Sequence, residues 1–309
     1  MRTPTPQRGV ALIVALLVVA LATVLIAGLL DRGELAQART RNQLRESQAQ
    51  SYALGLEVYA AHVLMEDQAK GNGFDTADSP WAVPLPPTPV PDGMIAAAMS
   101  DLNGRFNLNN LDVGPSSPNA PVWLGKFRLL LDALKLDPKL ADEVVAWMNP
   151  MPSATAASDA FYLAQPVPYR AAKRTFNHVS ELRLVRGFDS ENFGKLAPYV
   201  SALPPGTQIN INTASVPVLM TLGITQDQAQ SVWQHGHAQF KDLGGLRNAL
   251  PALKVIACEV CYATRSSYFL ARGEITLDGL PMAFGSIIER RIGGADGGVR
   301  VIQRSRGSD

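Results

Sequence analysis

Two closely spaced cysteines are the residues of this sequence with the most evident chemistry. Cys258 and Cys261 form a CEVC motif, which is the spacing of a redox pair or of half a zinc site. A zinc site needs further ligands, yet the sequence has no second cysteine pair and only 4 scattered histidines. In an exported chain the same spacing favours a local disulfide, which we therefore predict if the chain leaves the cytoplasm.

Other residue types give no sign of catalysis. His235 and His237 lie in a turn flanked by Gln and Gly, without an acidic residue or cysteine beside them, so we expect them to face solvent rather than to bind a metal. Neither a GxSxG nor an HExxH motif occurs. The net charge of +1 provides no strong field for nucleic acid or for basic partners. We predict no enzyme activity and no cofactor.

The start of the chain has the pattern of a membrane segment. Arg2 and Arg8 precede Gly9, and an uncharged, mostly apolar run extends from Val10 to Leu30. As a helix this run would span about 31 Å, enough to cross the hydrocarbon core of a bilayer. Because the positive charges precede the run, the leader should stay cytoplasmic and the remainder should be exported.

Two alternatives for this segment stay open from the sequence. Ala20, Leu21 and Ala22 match the A-x-A pattern of a signal-peptidase site, although apolar residues continue beyond it. A membrane anchor that is never processed explains the length equally well. Both alternatives export the rest of the chain.

Helical periodicity continues beyond the membrane segment. No proline interrupts residues 10–79, so we predict one helix over residues 10–70 that ends at Lys70 and the glycines after it. The alternative is a membrane helix and a separate helix joined near Gly33. The apolar positions that we expect to face a core are Leu44, Tyr52, Leu56, Tyr59 and Val63.

The rest of the chain reads as strands, then helices, then strands. The proline-rich residues 80–91 predict an extended surface connector, and the Asn-Gly pair at 103–104 predicts a hairpin turn. Short amphipathic segments at 122–249 predict helices. Strands return after Cys261, with a turn at the Asp-Gly pair 278–279. This order indicates one α+β head with a large helical insertion.

Several segments together carry a specific family resemblance. The Gly9–Val10 junction resembles the processing site of type IV prepilins, which implies cleavage after Gly9 by a prepilin peptidase and N-methylation of Val10. The chain as a whole resembles the K-type minor pseudopilins of type II secretion systems. The segments that carry this resemblance are DLNGRFNLNNL at 101–111, PYRAAKRTFNHVSELRLVRGF at 168–188, LAPYVSALP at 196–204 and INTASVPVLMTLGI at 211–224.

The resemblance implies a pilin-like fold, in which a long N-terminal transmembrane helix packs on a small antiparallel sheet that carries an inserted α-helical domain. It also implies a noncatalytic subunit at the tip of the pseudopilus that initiates or caps assembly and helps export folded proteins across the outer membrane. The implied location is the bacterial inner membrane, with one pass and a periplasmic C-terminal domain. The implied partners are the I- and J-type minor pseudopilins, the major pseudopilin, the prepilin peptidase and, further out, the secretin or an exoprotein, but no nucleic acid.

The combined prediction divides the chain into five parts. Residues 1–9 are a leader peptide, and residues 10–70 are the N-terminal helix, with 10–30 in the membrane. Residues 71–121 are the first part of the pilin-like head, 122–255 are the inserted helical domain, and 256–309 are the C-terminal strands of the head.

The sequence departs from the family pattern at two places. The fifth residue after the predicted cleavage is Val14, where shaft-forming pilins have a glutamate; an unpaired carboxylate is costly in lipid, so its absence suits a subunit with none above it. Many relatives carry an acidic, calcium-like loop, but here Asn149, Met151 and Ser158 replace the acids and mainly Asp159 is left. Calcium requires six to eight oxygen ligands, so we predict no metal site.

Residues 211–246 resemble a helix-hairpin-helix module, which binds DNA in other proteins. A membrane-anchored DNA-uptake protein is therefore the alternative function. Such modules hold phosphate with glycine-rich backbone amides and cationic side chains. This segment has LGIT, which lacks the second glycine. Residues 210–250 offer only Lys241 and Arg247 as cations, against Asp227 and Asp242. We expect it to serve packing.

Overall fold

The computed structural model describes residues 8–112, 119–149, 159–233, 237–251, 253, 256, 258–291 and 298–307. They form a long N-terminal helix, a five-stranded antiparallel sheet packed on the second half of that helix, and a largely helical region inserted between two neighbouring strands. The predicted α+β class is confirmed.

The N-terminal helix α1 (Arg8–Lys70) is continuous. Residues around Gly33 are helical, so the alternative of two helices joined there is wrong. The 63 residues of α1 span about 90 Å. The helix ends where Lys70 places a cation in the last turn and Gly73 takes a φ of +82°, which favours glycine.

The strands of the described residues are β1 (Leu85–Val90), β2 (Gly93–Asp101), β3 (Phe106–Asn107), β4 (Val200–Ser201), β5 (Ile209–Asn210), β6 (Tyr262–Ala263), β7 (Tyr268–Leu277), β8 (Leu280–Arg291) and β9 (Gly298–Arg306). The main sheet has the strand order β1-β2-β7-β8-β9, and each neighbouring pair is antiparallel. The hairpin between β7 and β8 turns at Asp278 and Gly279, whose φ angles of 49° and 77° suit a two-residue turn with positive φ at both positions. The strands and turn predicted after Cys261 are confirmed.

Small residues allow α1 to lie close against the sheet. A Cβ atom at Gly273 of β7 would lie 2.9 Å from Cδ1 of Leu56, so a larger residue there would require the Leu56 side chain to shift. The predicted core face is partly wrong, because Leu44 and Tyr59 are 67% and 48% exposed. Leu56 is buried as predicted, and Tyr52 and Val63 are partly buried against the same core. The other buried residues of α1 are Ala49, Ala60 and Leu64.

The proline-rich connector, residues 80–91, agrees with its prediction as an extended surface segment over Leu85–Val90 but not over Pro80–Ala82. Pro80–Ala82 is a short 3₁₀ helix, and Leu85–Val90 is the edge strand β1. An edge strand tolerates proline because the backbone groups on its outer side need no partner.

The hairpin predicted at Asn103-Gly104 is wrong. Strand β2 ends at Asp101, and the chain beyond the Asn-Gly pair forms β3, which pairs in parallel with the distant β4. Asn103 is buried, and its side-chain amide donates to the carbonyl oxygen of Gln208 at 2.9 Å. The asparagine therefore makes a tertiary contact rather than a tight turn.

The inserted region is the chain between the neighbouring strands β2 and β7, residues 102–267, and is thus wider than the predicted 122–255. It has its own apolar core, which includes Phe106, Phe127 and Leu182. The α-helices with described bounds are Ala120–Ala133, Leu140–Met148, Ser190–Leu196, Val216–Leu219, Gln226–Val232 and Leu243–Ala249. The further 3₁₀ helices are Leu108–Leu111, Val179–Leu184, Ala197–Tyr199, Met220–Leu222 and Glu259–Cys261.

Candidate assembly site

The first part of α1 has the length and composition of a membrane span. It is the one such helix among the described residues, and the apolar side chains between Val10 and Leu30 are exposed, with Val14 at 51%. The Thr23 hydroxyl donates to the Val19 carbonyl oxygen one turn earlier, which satisfies the one hydroxyl of this apolar run within the helix. Gly9 and Val10 both lie in the helix, and cleavage between them stays a prediction.

At the other end of α1, a buried arginine connects the helix to the sheet. Arg290 of β8 has a side chain only 1% exposed, and its guanidinium donates to Asp67 of α1 at 2.8 Å. It also pairs with Asp75, in the segment between α1 and the connector, and donates to the Ser266 carbonyl oxygen at 2.9 Å. Burial raises the pKa of Asp67, and Arg290 opposes this rise. The arginine thus fixes the end of α1, the segment that follows it and β8 together.

A third buried carboxylate connects the sheet to the inserted region. Asp101, at the end of β2, accepts from the Ser266 hydroxyl at 2.5 Å, from the Asn210 amide at 3.2 Å and from the Thr213 hydroxyl. Burial raises the pKa of Asp101 to about 6, although these donors oppose the rise. We call Asp67, Asp75, Asp101, Asn210, Thr213, Ser266 and Arg290 the buried junction.

The DLNGRFNLNNL segment has a structural role beside this junction. Asn107 donates to the Pro204 carbonyl oxygen at 2.8 Å, and Asn109 donates to that of Leu203, also at 2.8 Å. Asn110 donates to the carbonyl oxygen of Thr207 at 2.8 Å. This role was not predicted, although asparagines interspersed with leucines and a phenylalanine are a usable signal, because buried amides need partners.

His237 differs from its prediction as a solvent-facing residue. Its side chain is only 11% exposed, and Nε2 lies 2.6 Å from a carboxylate oxygen of Asp78, just before the connector. Gln239 donates to the same carboxylate at 2.7 Å. The acidic partner was missed because it is remote in sequence. His235 lies outside the described residues.

Asp159, the acidic residue left in the place of the calcium-like loop, pairs with a lysine. Nζ of Lys173 lies 2.9 Å from Asp159, and a guanidinium nitrogen of Arg170 lies 3.7 Å from the same oxygen. The hydrogen bond from Lys173 lowers the pKa of Asp159. A carboxylate neutralised in this way is a poor calcium ligand. Of the other positions compared, Met151 and Ser158 lie outside the described residues.

The segment that resembles a helix-hairpin-helix module packs into the inserted region. Val218, Leu219 and Ala229 are buried in its core. The backbone N–H of Gly223, which such a module would offer to phosphate, donates to the Met220 carbonyl oxygen at 2.9 Å. Arg247 pairs with Glu259. These contacts favour the packing role.

Near the start of the C-terminal strands, Cys258 and Cys261 are joined by a disulfide, and Cys261 N donates to Cys258 O at 3.0 Å. The oxidised state in the cell stays a prediction. Both residues are buried beside Tyr262, which opens the short strand β6. The bridge therefore fixes the chain shortly before it enters the main sheet.

A buried lysine is a further feature that sequence analysis missed. Lys126 is 5% exposed; its Nζ lies 2.9 Å from the Tyr262 hydroxyl and 4.5 Å from the centre of that ring. Burial lowers the pKa of Lys126 to about 8 and raises that of Tyr262. The Lys126 position follows Gly125 in an amphipathic helix, where a cation would ordinarily face solvent.

Comparisons with known proteins agree on one family. The family model described as type II secretion system (T2SS), protein K, matches residues 104–205. The type II secretion system protein K of Pseudomonas aeruginosa is 37% identical over 97% of this chain and 93% of that protein. The protein of the same name from Pectobacterium carotovorum subsp. carotovorum is 36% identical over 74% of this chain and 75% of that protein.

A solved structure supports the same assignment. A chain in the crystal structure of the GspK-GspI-GspJ complex from the enterotoxigenic Escherichia coli type 2 secretion system matches with a TM-score of 0.74 and 28% identity. The match covers 88% of this chain and 100% of that chain, so the fold is pilin-like, as the resemblance implied. From the extent and identity of these matches, the chain belongs to the type II secretion system protein K family, the K-type minor pseudopilins.

Proposed function

We propose that this protein is the minor pseudopilin at the tip of the type II secretion pseudopilus, where it initiates or caps assembly and helps export folded proteins across the outer membrane. The observation that carries the proposal is the position of the inserted region. Asn210 and Thr213 of that region join the buried junction together with Asp67, near the end of α1 farthest from the apolar run. The bulk of the head therefore lies at the end away from the membrane.

A large head in this position suits the top of a filament. Pilin shafts stack their N-terminal helices side by side, so the next subunit up would have to place its own helix and head where the inserted region lies. The described elements of that region pack around an apolar core of their own, so the region is not a thin loop. It could not move aside for another subunit without disrupting that core. A subunit that blocks its own addition does not propagate a filament of itself.

The membrane segment supports the same location. Val14 leaves the apolar run without a carboxylate, and a tip subunit has no neighbour above it whose N-terminal amine would neutralise one. We propose a single pass in the inner membrane, with the leader cytoplasmic and the head periplasmic, in agreement with Arg2 and Arg8 before the apolar run.

The proposed partners are the I- and J-type minor pseudopilins and, below them, the major pseudopilin. The related structure is a GspK-GspI-GspJ complex. In this chain the part of α1 beyond the membrane exposes Leu54, Val58 and Met65 at 45%, 70% and 47%, on the side that is not packed against the sheet. Apolar side chains exposed along one helix suit packing against other pseudopilin helices. The proposed role is structural and noncatalytic.

Co-purification tests this proposal. The full chain, carrying an affinity tag at its C-terminus, would be co-expressed in membranes with the I- and J-type pseudopilins and, separately, with the major pseudopilin alone. We expect a complex with one copy of each minor subunit, measured by native mass spectrometry. Two results would refute the tip assignment. One is a complex with several copies of this chain, and the other is a continuous filament that this chain forms with the major pseudopilin alone.

A further inference from the structure

A cleft of about 470 Å³ lies between the main sheet and the inserted region, on the sheet face away from α1. Side chains alternate along a strand, so the residues next to those packed on α1 form this outer face. The roof of the cleft comes from residues 177–202. Its floor consists of two neighbouring cross-strand rows: Leu270, Ile287 and Gln303, and Arg272, Gly285 and Ser305.

Arginine side chains line the cleft. Arg105, Arg183 and Arg272 contribute to it, and its described lining residues include no aspartate or glutamate. The nearby Glu181 pairs with Arg174 at 3.1 Å. A cation in a recess with apolar walls, which strengthen its field, attracts an anionic group.

Arg183 is oriented for such a group. Its guanidinium lies over the ring of Phe193, 4.0 Å from the ring centre. It belongs to the 3₁₀ helix Val179–Leu184, whose start is fixed by a capping box between His178 and Glu181. In the described part of the chain no ion pair engages Arg183. A planar guanidinium held on an aromatic ring keeps its edge available for a carboxylate.

One buried hydroxyl in the cleft wall has no hydrogen-bond partner among the residues that the structure describes. Ser201 is 2% exposed, and its Oγ makes no hydrogen bond to the described residues. Its neighbour in β4, Val200, packs into the core of the inserted region, so the alternation of β4 directs Ser201 away from that core. A buried hydroxyl without a partner costs free energy, which a polar ligand group would recover.

The cleft opens at an edge of the sheet. Gln303 and Ser305 belong to β9, which has β8 as its single neighbour in the five-stranded sheet. The outer backbone groups of such a strand can pair with an added extended segment. Leu270 and Ile287 on the floor supply an apolar surface for alternate side chains of that segment.

We propose that this cleft binds a short, extended, acidic segment of a partner polypeptide. An aspartate or glutamate side chain of the segment binds Arg183, and aliphatic side chains beside it contact Leu270 and Ile287. The backbone pairs with the edge of β9, and one polar group meets the Ser201 hydroxyl. This binding site does not depend on the location of the subunit in the pseudopilus.

Selection from an unbiased peptide library tests the proposal. The full chain in detergent micelles would be presented with a phage-displayed library of random seven-residue peptides, and selected sequences would be synthesised for fluorescence anisotropy. We expect enrichment of Asp or Glu alternating with Val, Ile or Leu. A selected peptide should lose at least about tenfold in affinity on Arg183→Gln, since a charge-assisted hydrogen bond is lost, and about two- to tenfold on Ser201→Ala.

The matched control is Arg128→Gln, which removes another exposed arginine of the inserted region, one that pairs with Asp142 outside the cleft. It should leave the affinity within twofold. The proposal is overturned if selection enriches no acidic pattern, if peptides with Gln in place of Glu bind equally, or if Arg183→Gln has no more effect than the control. Displacement of the peptide by phosphatidylglycerol vesicles or by millimolar inorganic phosphate would instead identify a headgroup or small-anion site and also overturn it.

Discussion

Removal of Arg290 should destabilise the head more than removal of any exposed arginine. The substitution Arg290→Met keeps the apolar stem but leaves Asp67 and Asp75, with side chains only 9% and 2% exposed, without their shared cation. Breaking a buried ion pair by removing one partner costs about 3–5 kcal/mol. We therefore expect the free energy of unfolding of the head to fall by about that amount.

The measurement is urea unfolding of the full chain in detergent micelles at pH 7, followed by tryptophan fluorescence. Trp81 reports directly on the junction, because its indole N–H donates to Asp75 at 3.1 Å. The control is Arg128→Met, which breaks an exposed pair with Asp142 and should cost less than about 1 kcal/mol.

The loss in free energy of unfolding caused by Arg290→Met, here called the deficit, should also depend on pH. Burial already raises the pKa of Asp67, and loss of Arg290 raises it further. A carboxyl group with a raised folded-state pKa binds more protons when folded, so its contribution to stability is lost as pH rises. The deficit should therefore be larger at pH 7 than at pH 5. A loss below 1 kcal/mol at pH 7, or a deficit that grows toward acid, would refute this account of the junction.

Three further predictions concern the lysine, the disulfide and the N-terminus. Because the pKa of Lys126 is lowered to about 8 in the folded chain, the unfolded chain binds more protons between about pH 8 and 10. The free energy of unfolding should therefore rise with pH over this range, compared with that of Lys126→Met. Urea unfolding that gives both proteins the same pH dependence would contradict this. Protein that is isolated from cells and denatured without reductant should show no free thiol at Cys258 or Cys261. Reduction should lower the free energy of unfolding by about 2 kcal/mol or less, since the closed loop is short. Mass spectrometry of the mature chain should give an N-methylated Val10, whereas a start at Thr23 would indicate signal-peptidase cleavage.

Local signals were sufficient where structure is set by neighbouring residues. The unbroken helix followed from the absence of proline, and the β7–β8 hairpin followed from the Asp-Gly pair, because positive φ at two successive positions is a local requirement. The wider boundaries of the inserted region did not follow. They depend on which strands become neighbours, and β2 pairs with β7 across the whole insertion.

Contacts between distant residues explain the remaining errors. Asn103 reads as a turn residue, but its burial against Gln208 uses the same amide for a long-range hydrogen bond. His237 reads as exposed because Asp78 lies far away in sequence. Arg290 sits in a strand whose pattern gives no sign that two carboxylates from other elements surround it. Buried polar groups find their partners through the fold, so a single sequence does not reveal them.

The most direct test of the central claim is the location of this subunit on the assembled pseudopilus. An epitope tag placed after Asp309 would be labelled with gold-conjugated antibody on filaments sheared from cells that overproduce the major pseudopilin together with the minor subunits. If the subunit lies at the tip, we expect gold label at one end of each filament and nowhere else on it. Label distributed along the shaft would contradict it.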